Sequence, residues 1–181
     1  MILSDSELIE MLREPRTRRE GFAVLVKQYS EKLYWKVRRI VLSHEDANDV
    51  LQNVFIKVWN NLQNFQGKSS LSTWLYRIAI NESLDFLRKQ KLADKVSADE
   101  DVSVASRLMS DEYFDGDEVQ ARLQEAVARL PEVQRTVFNL KYFEEMKYSE
   151  ISQILNTSEG ALKASYHLAV KKITEYLHLF D

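Results

Sequence analysis

Lys163, His167 and Lys171 stand four residues apart in SEGALKASYHLAVKK. On a helix that spacing puts side chains one turn apart on the same face. An ammonium and an imidazole so placed can hydrogen-bond base edges in a major groove, and an ammonium further along meets phosphate. Ser158 precedes the run as an N-cap, Glu159 and Gly160 fill the first turn, and Ala164 shares the exposed face. Gly160 costs the helix about 1 kcal/mol relative to Ala. A residue without a Cβ there lets a phosphate or base approach the N–H groups of the first turn. Upstream, YSEISQIL reads as a first helix, and Asn156 suits a left-handed turn between the two. Ile151, Ile154, Leu155, Leu162, Tyr166 and Val170 are the apolar side chains expected to pin the pair onto the preceding helix. The layout is that of a helix-turn-helix; the alternative is a plain helical hairpin with a solvated basic end.

Two further constellations lie in the first half. In HEDANDVLQNVFIKVWNNLQNF a core stripe of Ala47, Val50, Leu51, Val54, Val58, Leu62 and Phe65 runs beside a second stripe of Asn48, Asp49, Gln52, Asn53, Phe55, Ile56 and Trp59. Large apolar groups ringed by acids and amides point to a protein-binding surface. Phe55 fits a core position equally well. In FQGKSSLSTWLYRIAINESLDFLRKQ a polar loop turns abruptly into an apolar helix that carries a polar line of Arg77, Asn81, Asp85 and Arg88. Cations and an amide on one face can meet a nucleic-acid strand, while the apolar face fixes where the loop must sit.

These groups are positioned by helices throughout. The chain has 181 residues, four glycines and two prolines, too few breakers for an all-β or α/β design. Ser4 with Glu7 forms a capping box before LIEML, and Pro15 ends that turn. Phe22, Leu25, Tyr29, Leu33, Val37 and Ile40 give the next helix its apolar stripe, Ser43 opens the third, and Ser72 is the expected cap of the fourth, which runs to about Lys91. After residue 118 come VQARLQEAVARL, PEVQRTVFNLKYFEE with Pro131 at its start, and the two helices above. The expected fold is all-α, with two small helical domains, 1–91 and 119–181, joined by an acidic flexible linker over 92–118 that holds a short helical piece near 104–109.

Charge follows the same division. The net charge is −3, but residues 1–91 hold fifteen Lys/Arg against eleven Asp/Glu, residues 92–118 hold two against nine, and residues 119–181 hold eight of each. There is no cysteine, which excludes disulfides and thiolate metal sites. His44, His167 and His178 are scattered, so no metal site is expected, and no cofactor. No basic-then-apolar leader and no apolar run near the roughly 20 residues that span a bilayer is present, so a cytoplasmic protein without membrane insertion is expected. No nucleophile–base–acid set or Gly-rich phosphate loop appears, so no enzyme is expected.

Four of the stretches quoted, EDANDVLQNVFIKVWNNLQNF, FQGKSSLSTWLYRIAINESLDFLR, LPEVQRTVFNLKYFEEMKYSEIS and TSEGALKASYHLAVKKI, together resemble the extracytoplasmic-function (ECF) sigma factors of bacterial RNA polymerase. The resemblance runs in order from about residue 22 to residue 177. It implies that Asp49, Gln52, Asn53, Phe55 and Trp59 lie on the helix that grips the clamp helices of the polymerase β′ subunit; many members carry Glu where Asn53 stands. It implies that the loop at about 63–72, with Lys68, Ser69 and Ser70, captures a base flipped from the −10 promoter element. Arg77, Asn81 and Arg88 then face the single strand. Extruding a base costs a few kcal/mol, which pocket contacts must offset. Trp74 and Tyr76 are read first as core, with stacking on bases as the alternative. Housekeeping sigma factors melt DNA with an aromatic pair where this chain has Arg77 and Ile78, which implies weaker melting and stricter promoter choice.

The second block resembles the domain for the −35 element, read by Ser158, Glu159, Gly160, Lys163, Ala164, His167 and Lys171. Members often have Ala where Ser152 stands, and an Arg-rich reading helix. The family further implies contacts to the β flap, a linker threading toward the active centre and RNA exit path, and control by an anti-sigma factor. The linker's nine acids either imitate RNA or serve solubility and reach. The rival readings are a stand-alone helix-turn-helix regulator and a purely structural adaptor.

Overall fold

A computed structural model of the chain describes residues 2–93 and 116–180. The chain divides into two compact units, Met1–Lys95 and Val96–Asp181. The described residues are helical, with no strand among them, so the fold is all-α. In the first unit α1 is Asp5–Arg13, α2 Arg18–Val41, α3 His44–Asn61 and α4 Leu71–Ala93. In the second, α5 is Glu118–Ala128, α6 Glu132–Phe138, α7 Tyr148–Leu155 and α8 Glu159–Leu177.

The first unit is built on α2, against which α1, α3 and α4 all pack. The Ser4 hydroxyl accepts the Glu7 N–H, and the Glu7 carboxylate accepts the Ser4 N–H at 2.8 Å, so the capping box forms. The Ser4 hydroxyl, donating to that carboxylate at 2.6 Å, and then the Ser4 N–H hold the Glu7 carboxyl below its usual range. Leu8 and Leu12 then face inward. A Cβ on Gly21 would stand 2.9 Å from the Cβ of Met11, so α1 lies close on α2 only because that position has no side chain. Leu25, Leu33 and Val37 of α2, Val50, Val54 and Val58 of α3, and Leu71, Leu75 and Ile80 of α4 are all buried where the three helices pack on one another. The turn between α2 and α3 is tight: Leu42 takes a left-handed conformation at φ 70°, its N–H bonds the Arg38 carbonyl at 2.8 Å, and Ser43 caps α3. Such a φ costs a non-glycine residue roughly 1–2 kcal/mol, which the burial of Val41 and Ala47 on either side offsets.

Helix α4 corrects one expectation. Its cap is Ser70, not Ser72: the Thr73 N–H donates to the Ser70 hydroxyl at 3.1 Å. Leu71 is 1% exposed, and burying it contributes about 2 kcal/mol. A cap at Ser72 is worth only about 1 kcal/mol and would leave Leu71 outside the helix, so the earlier serine wins.

Lys36 of α2 places its Nζ 4.0 Å from the centre of the Tyr76 ring on α4. Burial first, then Arg39 and Lys32, lower its pKa to about 8. The unfolded chain keeps this proton until about pH 10.4. Between those values the unfolded state binds more protons, so Lys36 makes stability rise with pH. Tyr29 and Tyr76, both raised by burial, oppose this only above about pH 10. We expect the melting temperature to rise from pH 8 toward 9.5, and Lys36→Met to remove the rise; thermal melts across that range check it.

In the second unit α8 runs beside α5 and α6, and Ala126, Val127, Leu130, Phe138, Ala169 and Ile173 form the core. Helix α6 continues through Asn139–Phe143 as a wider π turn. The widening stacks Phe138 on Tyr142 at 5.0 Å and sets Phe143 edge-on to both. The expected inward stripe of α8 is corrected at one position: Val170 is 38% exposed, while Leu162, Ala169 and Ile173 are buried. At 3.6 residues per turn, seven residues fall about 20° short of two turns, but eight overshoot by about 80°. The expected linker over 92–118 is shorter at both ends, because α4 runs through Ala93 and Asp117 caps α5 by accepting the Gln120 N–H at 2.9 Å. The expected helical piece at 104–109 lies outside the described residues.

Candidate functional site

The second stripe of α3 is a real surface. Asp49, Gln52 and Asn53 are exposed, Ile56 is 58% exposed and Trp59 42%. Phe55 is half-buried, edge-on to Phe22 at 6.4 Å, and the Trp59 ring meets the same Phe22 at 5.0 Å. Phe55 is therefore partly core, and Phe22 is the floor on which Trp59 stands. At the start of α3 the His44 ring lies 2.7 Å from the Tyr34 hydroxyl and 3.0 Å from the Asn48 amide, which fixes that end of the face. A Lys57–Glu82 ion pair ties α3 to α4. Ile56, standing in this stripe, is the apolar centre that a list of polar contacts passes over.

The loop before α4 presents Lys68 and Ser70, with Ser69 half-buried. Ser69 donates to the Ser70 carbonyl at 3.3 Å. The Ser70 hydroxyl is engaged as the helix cap and also meets the hydroxyls of Ser72 and Thr73. Of the three expected loop contacts, Lys68 is the one whose side chain makes no hydrogen bond or ion pair among the described residues. Trp74 packs against Phe65 at 5.1 Å, and Tyr76 lies under Lys36. Both are half-buried. On α4, Arg77 is half-buried while Asn81 and Arg88 are exposed, in register along one face. Arg88 pairs with Asp85 at 2.7 Å, and an exposed pair of this kind is worth under about 1 kcal/mol and exchanges readily for a phosphate.

In the helix-turn-helix, Asn156 takes the left-handed conformation at φ 51°, and Ser158 caps α8 by accepting the Ala161 N–H at 3.3 Å. Ser158, Glu159, Gly160, Lys163, Ala164, His167 and Lys171 are all exposed, and Gly160, Lys163, Ala164, His167 and Lys171 share one side of α8. Lys171 approaches Glu175 at 3.9 Å, a weak surface pair. Tyr148, at the start of α7, is a neighbour of Lys163 that spacing does not reveal. The Lys163 ammonium lies 5.6 Å from its ring centre and the Lys141 ammonium 5.0 Å. Lys141 also donates to the Met146 carbonyl at 3.2 Å. The ring thus holds Lys163 near the end of α7 that faces the same solvent.

A Cβ on Gly160 would meet nothing within 4 Å. Packing does not require glycine there, so Gly160→Ala is expected to stabilise α8 by about 1 kcal/mol. If DNA approaches this turn closely, the same change weakens promoter binding. The opposite signs, read by melting and by promoter affinity, separate the two effects.

Among the described residues there is no group of three or more His, Asp or Glu that could hold a metal ion. None of the described helices is long and apolar enough to cross a membrane.

Separate helical units, one carrying a solvent-facing helix-turn-helix, define a DNA-binding transcription protein. Two family models match it: Sigma-70 region 2 over residues 25–93 and Sigma-70, region 4 over residues 120–173. The ECF RNA polymerase sigma factor SigW of Bacillus subtilis is 33% identical over 157 residues, covering 82% of this chain and 84% of that protein. The RNA polymerase sigma-H factor of Pseudomonas aeruginosa is 30% identical over 182 residues, covering 96% and 93%. The chain belongs to the ECF sigma factors of RNA polymerase. Among solved structures, the sigma factor RpoE of Bartonella quintana in complex with the anti-sigma factor NepR shares the fold with a TM-score of 0.70 at 20% identity, covering 88% of this chain and 98% of that one. CnrH in complex with the cytosolic domain of CnrY gives 0.65 at 20% identity, covering 98% and 96%. Sigma-factor membership disfavours the stand-alone regulator.

Proposed function

We propose that the chain docks on core RNA polymerase through α3 and reads a promoter in two places. Asp49, Gln52, Asn53, Phe55 and Trp59, centred on Ile56, bind the β′ clamp helices. Lys68, Ser69 and Ser70 with Arg77, Asn81 and Arg88 receive the single strand of the −10 element, and the exposed side of α8 reads the −35 element. Residues 1–93 and 117–181 then divide the labour, with the acidic segment between them as tether, and the second domain also meets the β flap. The protein works in the cytoplasm and carries out no chemistry itself; core polymerase supplies catalysis. A protein inhibitor of the anti-sigma kind, such as the NepR bound to RpoE, is the expected regulator.

The observation that supports this best is the face of α3. Exposed Ile56 and Trp59, flanked by Asp49, Gln52 and Asn53, are left uncovered by their own unit. An apolar centre with a polar rim is the composition of a protein interface. Net charge −3 leaves the free chain with little cation density for duplex phosphates. The test is co-purification with core polymerase, followed by transcription from selected promoters. Stable holoenzyme with promoter-dependent transcripts is expected; a chain that never joins core would overturn the reading.

A further inference from the structure

Residues 13–19 hold four arginines, Arg13, Arg16, Arg18 and Arg19, at the corner between α1 and α2. Their side chains do different things. Arg18 turns back on α1: its Nε donates to the Leu12 carbonyl at 3.0 Å and its Nη2 to the Arg13 carbonyl at 3.4 Å, satisfying the end of that helix. Arg13 reaches the loop before α4. Its Nη2 lies 3.8 Å from the point that a Cβ on Gly67 would occupy.

The backbone that carries Arg13 is well anchored. Helix α1 is held by buried Leu8 and Leu12, by its close seat on Gly21, and by the Thr17 hydroxyl donating to the Met11 carbonyl at 2.9 Å. Gly67 sits at φ 71°, a conformation other residues adopt only with strain. Lys68 follows it directly. Arg13 and Lys68 are both exposed, and neither makes an ion pair among the described residues. Glu10 and Glu14 flank Arg13 along α1 without pairing to it, and residues 62–72 contain no acid. Arg13 therefore reaches Gly67, Lys68 is the next residue, and no acid among the described residues pairs with either cation. A planar guanidinium beside a point-charge ammonium suits the phosphodiester of a single strand, which carries one negative charge per nucleotide.

We propose that Arg13 of α1, with Lys68, anchors a backbone phosphate of the single-stranded DNA whose base enters the neighbouring loop. This rests on the loop's role at the −10 element. It makes α1 part of the DNA-binding surface and divides the work: cations hold the strand, and the loop and α4 choose the base.

The test uses holoenzyme reconstituted with core polymerase and promoter DNA whose −10 region is held open by mismatches. Affinity is measured across a salt series for the parent, Arg13→Gln and Arg13→Lys, each on the parent −10 sequence and on one with the captured base replaced. Losing one single-strand phosphate contact should lower the slope of log affinity against log salt by about 0.7. The loss of affinity in Arg13→Gln should then be about 2.6-fold greater at 50 mM than at 200 mM salt. Arg13→Lys should keep the parent slope, and preference for the base should be the same in all three. If the parent discriminates the base but Arg13→Gln keeps its slope, the anchor is wrong and the loop reading stands. If the slope falls in Arg13→Gln while no variant discriminates the base, the anchor stands and the loop reading fails.

Discussion

Ile56→Glu is expected to lower the affinity of the chain for core polymerase by about 10- to 100-fold, with its melting temperature within a few degrees of the parent. Ile56 is already 58% exposed, so the fold gains little from it. Buried in an interface centre, a side chain of this size behaves as a hot spot worth about 2 kcal/mol or more, and 1.4 kcal/mol is one decade of affinity. A carboxylate put in its place adds a desolvation cost. Asp49→Ala with Gln52→Ala removes rim contacts and should weaken binding less, again without unfolding. Trp59→Ala is the poorer probe, because it also strips the ring packed on Phe22 at 5.0 Å. Competition binding to core, beside a melting curve, reads both quantities. Parent-like affinity in Ile56→Glu would remove α3 from the interface.

Lys163→Ala is expected to weaken −35-dependent promoter binding by holoenzyme about tenfold and to leave core affinity unchanged. A specific base contact is worth about 1–3 kcal/mol. The loss should then concentrate on promoters carrying the preferred base, while a phosphate contact would weaken all promoters alike and lower the salt slope by about 0.9. Tyr148→Leu should produce a smaller loss of the same kind, since the ring lies 5.6 Å from the ammonium it orients. Promoter affinities measured on a set of −35 variants separate these outcomes. Equal affinity for every variant before and after Lys163→Ala would take this residue off the reading face.

Much of this was legible in spacing alone. Helices announced themselves because Leu25, Tyr29, Leu33 and Val37 recur at helical intervals and face one core. Asn156 and Ser158 marked the turn because Asn tolerates the left-handed conformation and a Ser hydroxyl can accept an N–H of the first turn. The α3 face was visible as a stripe too apolar for solvent and too polar for core. What spacing did not show depends on neighbours distant in sequence. Leu71 needs burial, and that moves the cap of α4 from Ser72 to Ser70. The phase of α8 against its partners decides for Ala169 over Val170. Phe55 had two readings until Phe22 was seen beneath it. Arg13 beside Gly67 and Lys163 beside Tyr148 join residues that no local pattern connects.

The most direct measurement is a binding titration of labelled duplex promoter DNA with the isolated chain, with core polymerase, and with the two together at physiological salt. The account predicts no specific complex with the chain alone, unspecific binding by core, and a promoter-specific complex only with both. A tight, sequence-specific complex between the isolated chain and intact duplex, unaffected by core, would contradict it.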